Sequence, residues 1–320
     1  MGWTMKRDPI PVVILAGSDR QPPEMPAAGR DKHPLSGYKG VDVLIDGRPL
    51  VETLVDRLRD AGGFAPIYVA GPRSVYGHIG APARLIEAND TFGKNIRTSL
   101  EYVRAGHPRS PIAFLACDVV PEVETLRTLL EHFHRHSPCH FWFPLIRAPE
   151  DRERLGASSW KPAYRIAPEP GEPAVRVLPG HLVVVDPDAL RRLFVYRLMQ
   201  LGYRTRNRSI TYRRGVMVRG VVFELLFQDL RHLLAFRPPT LTWTVLSAGI
   251  SAARELKAGT VTRAKLEDAL CRVLITHRYR KRYPERRVLL PIVEGLSLAL
   301  DIDTEEEARE MGGDLSSRSA

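Results

Sequence analysis

Two acidic side chains that are far apart in the sequence, Asp118 and either Asp303 or its neighbour Asp301, have the chemistry of a metal site, and Asp303 is favoured over Asp301. Asp118 follows the apolar segment 111–116, and Asp301 and Asp303 stand two residues apart near the other end of the chain. A strand over 111–116 would place Asp118 at the carboxyl edge of a sheet, where α/β proteins hold their ligands. Mg²⁺ prefers one or two carboxylates, with water and phosphate oxygens completing its coordination. The alternatives are that Asp118 only caps a helix, and that Asp301 and Asp303 only interact with the positive end of a helix dipole.

A strand end built from small residues has the chemistry of a phosphate site. The apolar run 10–15 leads into Ala16, Gly17 and Ser18. Without bulky side chains in the way, backbone amides can approach phosphate oxygens closely. An ordinary turn between a strand and a loop has the same composition, so this motif alone leaves both interpretations open.

These motifs belong to a larger set that follows a fixed order along the chain. The order is Val12 to Ser18, then Lys39-Gly40 and Gly47-Arg48-Pro49-Leu50, then Gly93-Lys94-Asn95-Ile96, then Ala116-Cys117-Asp118, and finally Leu300-Asp301-Ile302-Asp303-Thr304. As a set they resemble the MobA-like NTP transferases, which are nucleotidyltransferases of the molybdopterin-guanylyltransferase group. The resemblance implies an α/β fold of the GT-A-like, nucleotide-diphospho-sugar transferase type. That fold is a three-layer α/β/α sandwich with a mainly parallel mixed sheet, here with a helical insert.

The resemblance also implies a reaction, which is transfer of a nucleoside monophosphate from a nucleoside triphosphate to a phosphorylated acceptor with release of pyrophosphate. The implied catalytic residues are Lys39 and Asp118, and the implied ligands of Mg²⁺ or Mn²⁺ are Asp118 and Asp303. The implied nucleotide-binding residues are Leu15, Ala16, Gly17, Ser18, Arg20, Lys39, Gly93 and Asn95. The implied acceptor-binding residues are Lys161, Arg165, Gly180 and His181. A structural histidine after a glycine turn is the alternative for His181.

The chain departs from the family pattern in the phosphate loop. Ser18 is followed by Asp19 and Arg20 and then by a proline-rich insert over 21–35, where the family has a compact loop with a second glycine and an arginine. Arg20 or Arg30 could supply that arginine. The departure keeps two other functions open: a glycosyltransferase of related fold that uses a nucleotide-sugar, and a non-catalytic nucleotide-binding protein.

The spacing of hydrophobic residues predicts the strands and helices that would position these residues. Strands are predicted over 10–15, 66–70, 84–87 and 111–116, and helices over 49–61, 95–104 and 123–136. This alternation favours a mainly parallel sheet. Further strands are predicted over 139–145, 174–185 and 296–300. Thr304 and Glu307 have the spacing of a capping box at the start of a last helix.

The rear of the chain is rich in arginine and is predicted to be a separate helical unit. We expect a nucleotidyltransferase-like domain over 8–190 with 292–311, an Arg-rich helical insert over 191–291 and a flexible tail over 312–320. Helices are predicted over 221–236 and 241–256. Apolar and basic residues mixed over 204–287 are consistent with a solvated subdomain or with contact to an anionic membrane surface. Nucleic acid is the less favoured partner, because no recognised binding module is visible.

Composition limits the class of protein. The chain has 320 residues, of which 44% are hydrophobic and 26% charged, as in ordinary globular proteins. Its net charge of +10 suits a partner that carries phosphate. Cys117, Cys139 and Cys271 are too few and too widely spaced for a disulfide framework or a zinc motif. Together with the lack of a signal peptide or a spanning apolar stretch, this favours a cytoplasmic enzyme, with peripheral contact at the inner membrane face as one expectation.

Overall fold

The computed structural model describes residues 8–18, 25, 29–205, 219–220, 222–223, 225–230, 233–234, 236, 239 and 241–315. Within these residues the strands are β1 (Ile10–Leu15), β2 (Val43–Ile45), β3 (Arg48–Pro49), β4 (Phe64–Gly71), β5 (Ala83–Glu87), β6 (Ile112–Ala116), β7 (Phe141–Trp142), β8 (Leu145–Arg147), β9 (Tyr164–Ile166), β10 (Val175–Pro179), β11 (Leu182–Val185), β12 (Val288–Leu289), β13 (Ile292–Val293) and β14 (Gly313–Leu315). The helices that we label are α1 (Lys39–Asp42), α2 (Leu50–Ala61), α3 (Arg73–Tyr76), α4 (Phe92–Gly106), α5 (Val123–His136), α6 (Arg192–Thr205), α7 (Leu241–Ala258), α8 (Arg263–Leu274), α9 (His277–Arg282) and α10 (Glu305–Glu310).

The largest sheet in the described part of the chain is mixed and mainly parallel, as predicted. Its strand order is β12-β7-β11-β6-β1-β4-β5. Strands β6, β1, β4 and β5 run parallel to one another, whereas β11 is antiparallel to both β6 and β7. At the centre, Val13 of β1 lies opposite Tyr68 of β4 and Phe114 of β6. The carboxyl ends of β1 and β6 therefore lie side by side at one edge of the sheet.

Helices cover both faces of this sheet, so the α/β/α sandwich is confirmed. Alternate residues of β1 point to opposite faces, as the pleat of a strand requires. Val12 and Ile14 pack in one core with side chains of α2 and α5. Val13 packs in a second core with side chains of α4, α6 and α8. Each fully buried aliphatic side chain in these cores contributes about 1.5–3 kcal/mol to the stability of the sandwich.

Two smaller sheets flank the large one among the described residues. One has the order β13-β8-β10-β9 and the other the order β14-β2-β3. The sequence predicts single strands over 139–145 and 174–185, but the structure divides each of them. The first becomes β7 and β8, and the second becomes β10 and β11, on either side of Gly180. Strands β7 and β11 belong to the large sheet, whereas β8 and β10 belong to a small one. The alternation of hydrophobic residues along a strand does not show where the chain passes from one sheet to another.

The predicted strand over 296–300 is wrong. Residues Leu296–Leu298 form a 3₁₀ turn, which begins after Gly295 at a φ of 124° and is closed by the bond from the Leu298 amide to the Gly295 carbonyl. A short apolar run does not by itself distinguish a buried strand from a buried turn. The capping box that follows is confirmed, since Thr304 and Glu307 exchange side-chain and backbone hydrogen bonds at the start of α10.

The division of the chain into three units stays a prediction, but two elements cross its boundaries. Strand β12 lies within the predicted insert 191–291 and pairs with β7 of the large sheet. Strand β14 lies within the predicted tail 312–320 and pairs with β2. The predicted helix over 221–236 lies partly outside the described residues. Among the residues that are described, no helix combines the length and apolar character needed to cross a membrane.

Candidate active site

Three carboxylates converge at the carboxyl edge of the large sheet. Asp118 follows β6, and Asp301 and Asp303 precede α10. One oxygen from each of the three carboxylates lies within 4.8 Å of the others. The structure therefore brings together Asp118 and Asp303, which the sequence selected as metal ligands, and adds Asp301 to them.

Backbone hydrogen bonds fix this convergence. The Ile302 amide donates to the Asp118 carbonyl over 2.7 Å, and Val119 forms an isolated β-bridge with Asp301. The Asp303 amide donates to the Glu307 carboxylate over 2.8 Å, as part of the polar network that caps α10. The segment that carries two of the carboxylates is thus held to the end of β6 on one side and to the first turn of a helix on the other.

Lys39 places its ammonium between two of the carboxylates. Its Nζ lies 3.1 Å from Oδ2 of Asp118 and 2.6 Å from Oδ1 of Asp303. The residue is only 4% exposed, although it begins the short helix α1. A buried ammonium is strongly destabilised unless carboxylates compensate it. Lys39 therefore belongs to the same electrostatic unit as the three aspartates.

Lys161 is a second buried cation in this cluster. Its Nζ lies 2.6 Å from Oδ1 of Asp301, 3.1 Å from Oε1 of Glu307 and 3.5 Å from Oδ2 of Asp303. Burial acts to lower the pKa of Lys161, but the neighbouring carboxylates outweigh burial and raise that pKa. The residue that the sequence assigned to the acceptor therefore lies among the metal-ligand candidates, with its ammonium engaged by carboxylates.

The cluster carries more negative than positive charge. Asp118, Asp301, Asp303 and Glu307 supply four carboxylates, against the two ammonium groups of Lys39 and Lys161. Full ionisation would leave a formal charge of about −2, which equals the charge that one divalent cation compensates.

The pKa values of two aspartates move in opposite directions. Burial and the neighbouring Asp303 raise the pKa of Asp301, which outweighs the attraction of His181 and Lys161. Burial also acts to raise the pKa of Asp303, but Lys39 and Lys161 outweigh it and hold that pKa below its ordinary value. Of these two aspartates, Asp301 is therefore the one whose negative charge is less well compensated, although Lys161 lies 2.6 Å from it. Hard oxygen ligands with excess negative charge fit Mg²⁺ or Mn²⁺.

The strand end predicted to hold phosphate lies beside Asn95 of α4. An added Cβ on Gly17 would lie 4.0 Å from the Asn95 side-chain nitrogen, with no closer neighbour, so backbone at this point is accessible. The Ala16 amide is used in the sheet, where it bonds to the Ala70 carbonyl, and the Ser18 carbonyl accepts a hydrogen bond from Tyr203. Leu15 ends β1 directly before this turn. Arg20 lies outside the described residues.

Gly93 has a packing role in addition to the one predicted for it. Its amide donates to the Gln200 side chain over 3.0 Å, and an added Cβ would lie 2.5 Å from the Tyr196 carbonyl. Glycine therefore permits α4 and α6 to approach closely. The predicted contact of Gly93 with nucleotide stays a prediction.

The four predicted acceptor residues are distributed over two places. His181 lies beside Lys161, with its Nε2 at 3.5 Å from Oδ1 of Asp301. Gly180 precedes it, and an added Cβ there would lie 2.8 Å from the Pro144 carbonyl. Arg165, by contrast, is exposed on β9 in a small sheet, beside Gly259. The structure thus joins His181 and Lys161 to the carboxylate cluster and places Arg165 on another surface.

Glu307 is a site residue that the sequence identified only as a capping residue. It is buried, and its two carboxylate oxygens contact Lys161, Ser158 and the backbone of Asp303 and Thr304. Its position four residues after Asp303, in the first turn of a helix, is a signal that could have connected it to the site.

We expect Asp303→Asn and Asp301→Asn to change the free energy of unfolding in opposite directions at neutral pH. A lowered pKa means that the charged Asp303 stabilises the folded state above its unfolded pKa, so Asp303→Asn should cost about 2–4 kcal/mol. A raised pKa means that the charge of Asp301 is disfavoured in the folded state, and Lys161 keeps its contact with Glu307, so Asp301→Asn should add stability. Urea unfolding of both variants without added metal measures these differences. A loss of stability in both would contradict the charge distribution described above.

Comparison with known proteins gives structural neighbours only. A scan against protein-family models finds no match, and a search of curated proteins finds none either. Among solved structures, a hypothetical transferase from Thermus thermophilus aligns with 17% identity and a TM-score of 0.49, over 93% of this chain and 99% of that one. A 4-diphosphocytidyl-2C-methyl-D-erythritol synthase from Anaerococcus prevotii aligns with 9% identity and a TM-score of 0.43, over 95% and 97%. HddC from Yersinia pseudotuberculosis, solved with GMP-PN, aligns with 16% identity and a TM-score of 0.39, over 56% and 77%. Similarity at this level does not identify a reaction, so the chemistry has to come from the site itself.

Proposed function

We propose that this protein is a metal-dependent nucleotidyltransferase of the molybdopterin-guanylyltransferase-like kind. It would transfer a nucleoside monophosphate from a nucleoside triphosphate to a phosphorylated acceptor and release pyrophosphate. The observation that carries the proposal is the cluster of Asp118, Asp301 and Asp303, in which Lys39 contacts Asp118 and Asp303 and negative charge is in excess. This cluster follows β6, and the small-residue turn follows the adjacent parallel strand β1. A cation site and a polyphosphate site would thus be neighbours.

In the proposed reaction an oxygen of the acceptor phosphate attacks the α-phosphorus of the triphosphate. The bond between that phosphorus and the bridging oxygen to the β-phosphorus breaks, and pyrophosphate leaves with the bonding electrons. No covalent nucleophile is required, because positioning and charge neutralisation supply most of the catalysis in phosphoryl transfer.

Each residue of the cluster has a proposed task. Asp118 and Asp303, with Asp301 beside them, would hold Mg²⁺ or Mn²⁺, which neutralises charge on phosphate oxygens when bound. The Lys39 ammonium would turn from the carboxylates to the triphosphate and neutralise charge there. Lys161 would hold Asp301 and Glu307 in position. His181 would face the acceptor phosphate from beside Asp301.

The Lys39 and Lys161 contacts also favour a second candidate, a non-catalytic nucleotide-binding protein. Two buried ammonium groups compensate part of the acidic cluster without any metal, as a purely structural ion network would. The two candidates differ in their expected response to divalent cations. The transferase is expected to require a divalent cation for its reaction, whereas the binding protein is expected to bind nucleotide without one.

Thermal unfolding with Mg²⁺ and each of the four ribonucleoside triphosphates tests the proposal. We expect one triphosphate to raise the melting temperature more with Mg²⁺ than with EDTA. Phosphorylated acceptors are then screened with that triphosphate, with release of pyrophosphate as the readout. A response to nucleotide-sugars in place of triphosphates would indicate a glycosyltransferase. Nucleotide binding that does not depend on metal, without release of pyrophosphate, would indicate the binding protein.

A further inference from the structure

One face of α7 combines exposed apolar and basic side chains. Trp243, Ile250, Arg254 and Lys257 are all exposed. Their spacing of seven, four and three residues places them on one side of the helix. Trp243 is 78% exposed, which is unusual for the largest apolar side chain. The aromatic residue lies toward the beginning of the helix and the two basic residues toward its end. We call these four residues the α7 face.

The apolar surface continues beyond α7 onto the preceding segment. Leu226, Leu230 and Leu233 line an open groove of about 420 Å³ together with Trp243. Phe223 is 74% exposed and Phe236 fully exposed in the same segment. An exposed contiguous apolar surface of this kind usually marks an interaction site.

The charge of the chain is concentrated in the same region. Residues 191–291 contain 22 Lys and Arg but only six Asp and Glu, whereas the remainder of the chain contains 25 Lys and Arg and 31 Asp and Glu. The positive charge of the protein therefore belongs to the region that carries the exposed apolar side chains. A partner for this surface must accept apolar side chains and supply negative charge.

We propose that the α7 face and the adjacent groove dock on the surface of a lipid bilayer that contains anionic headgroups. Apolar side chains enter the boundary between headgroups and acyl chains, and basic side chains pair with phosphate groups. A second copy of the chain would bring two strongly basic regions together, so like-charge repulsion disfavours it. A nucleic acid would neutralise the arginines but leave the aliphatic side chains in water. The bilayer surface is the partner that meets both requirements.

Flotation with vesicles tests the proposal on the full-length protein. Vesicles of phosphatidylcholine alone are compared with vesicles that also contain phosphatidylglycerol, at low and high salt. We expect binding to the anionic vesicles only, and loss of that binding at high salt. The double variant Arg254→Glu/Lys257→Glu should weaken partitioning by about 30-fold or more. The double variant Trp243→Ser/Ile250→Ser should weaken it by about 10-fold or more.

The matched control is Arg84→Glu/Arg135→Glu. It makes the same change in net charge at two exposed arginines outside residues 191–291, and it should bind the vesicles as the unmodified protein does. Melting temperatures of all variants confirm that each is folded. Three results would overturn the proposal: no flotation with anionic vesicles at low salt, equal flotation with both kinds of vesicle, or an equal effect of the control. A dimer in solution that Trp243→Ser/Ile250→Ser dissociates, without any vesicle binding, would assign the surface to a second copy instead.

Discussion

Replacement of Asp118 by asparagine is expected to lower metal-dependent nucleotidyl transfer by about 10³-fold or more while the protein stays folded. Asparagine keeps the size of the side chain but removes the charge that holds a divalent cation at the end of β6. The fold should tolerate the change, because Lys39 keeps its 2.6 Å ion pair with Asp303 and does not become a buried, unpaired cation. The measurement is pyrophosphate release with the responding triphosphate and acceptor, together with direct titration of Mn²⁺ binding.

The matched control is Asp60→Asn, which makes the same chemical change at an exposed site. Asp60 lies on α2 and pairs with Arg59 on the surface, so its loss should leave pyrophosphate release and Mn²⁺ binding unchanged. Undiminished pyrophosphate release by Asp118→Asn would remove Asp118 from the reaction. Weakened Mn²⁺ binding in both variants would show that the titration reports surface charge and not a specific site.

The position of Asp118 could be predicted because it depends on local pattern and on a general rule of sheets. The segment 111–116 is apolar throughout, as expected for a parallel strand buried on both faces. The carboxyl end of such a strand lies at the ligand-binding edge of an α/β sheet. Both conditions can be read from a few consecutive residues, and β6 fulfils them. The proximity of Asp303 to Asp118 needed more information, which came from the order of motifs in a resembling family.

The partners of Asp301 could not be predicted, because they depend on contacts between distant segments. Lys161 reaches Asp301 from the end of the 3₁₀ segment Arg152–Trp160, and no local pattern connects the two residues. Gly93 matched a nucleotide-binding motif, but its amide contacts Gln200 of α6. In both cases residue type and spacing identified a residue of interest, whereas its partner was set by how helices and loops pack on the sheet.

Lys39→Met is expected to have the second large effect, with opposite consequences for the apo protein and for metal binding. Methionine fills similar volume but leaves Asp118 and Asp303 without the ammonium between them, so the metal-free protein should lose about 3–5 kcal/mol of stability. Lys39 holds the pKa of Asp303 below its ordinary value. Its ion pairs therefore stabilise the folded state above the unfolded pKa and are lost only as the pH falls through the lowered one. The difference in stability between the unmodified protein and the variant should therefore shrink as the pH falls below the unfolded pKa of aspartate.

Divalent cations should stabilise Lys39→Met more than they stabilise the unmodified protein, because the ammonium no longer competes for the same carboxylate oxygens. Triphosphate affinity should fall by about 10–100-fold, since a charge-assisted contact to phosphate is lost. Melting temperatures with and without Mn²⁺, and equilibrium binding of the triphosphate, measure the two effects separately. Lys265→Met is the matched control, because Lys265 is exposed on α8 and pairs with Glu255 on the surface. Equal stabilisation of both lysine variants by Mn²⁺ would mean that Lys39 and the metal do not share a site, and unchanged triphosphate affinity would mean that Lys39 serves only the fold.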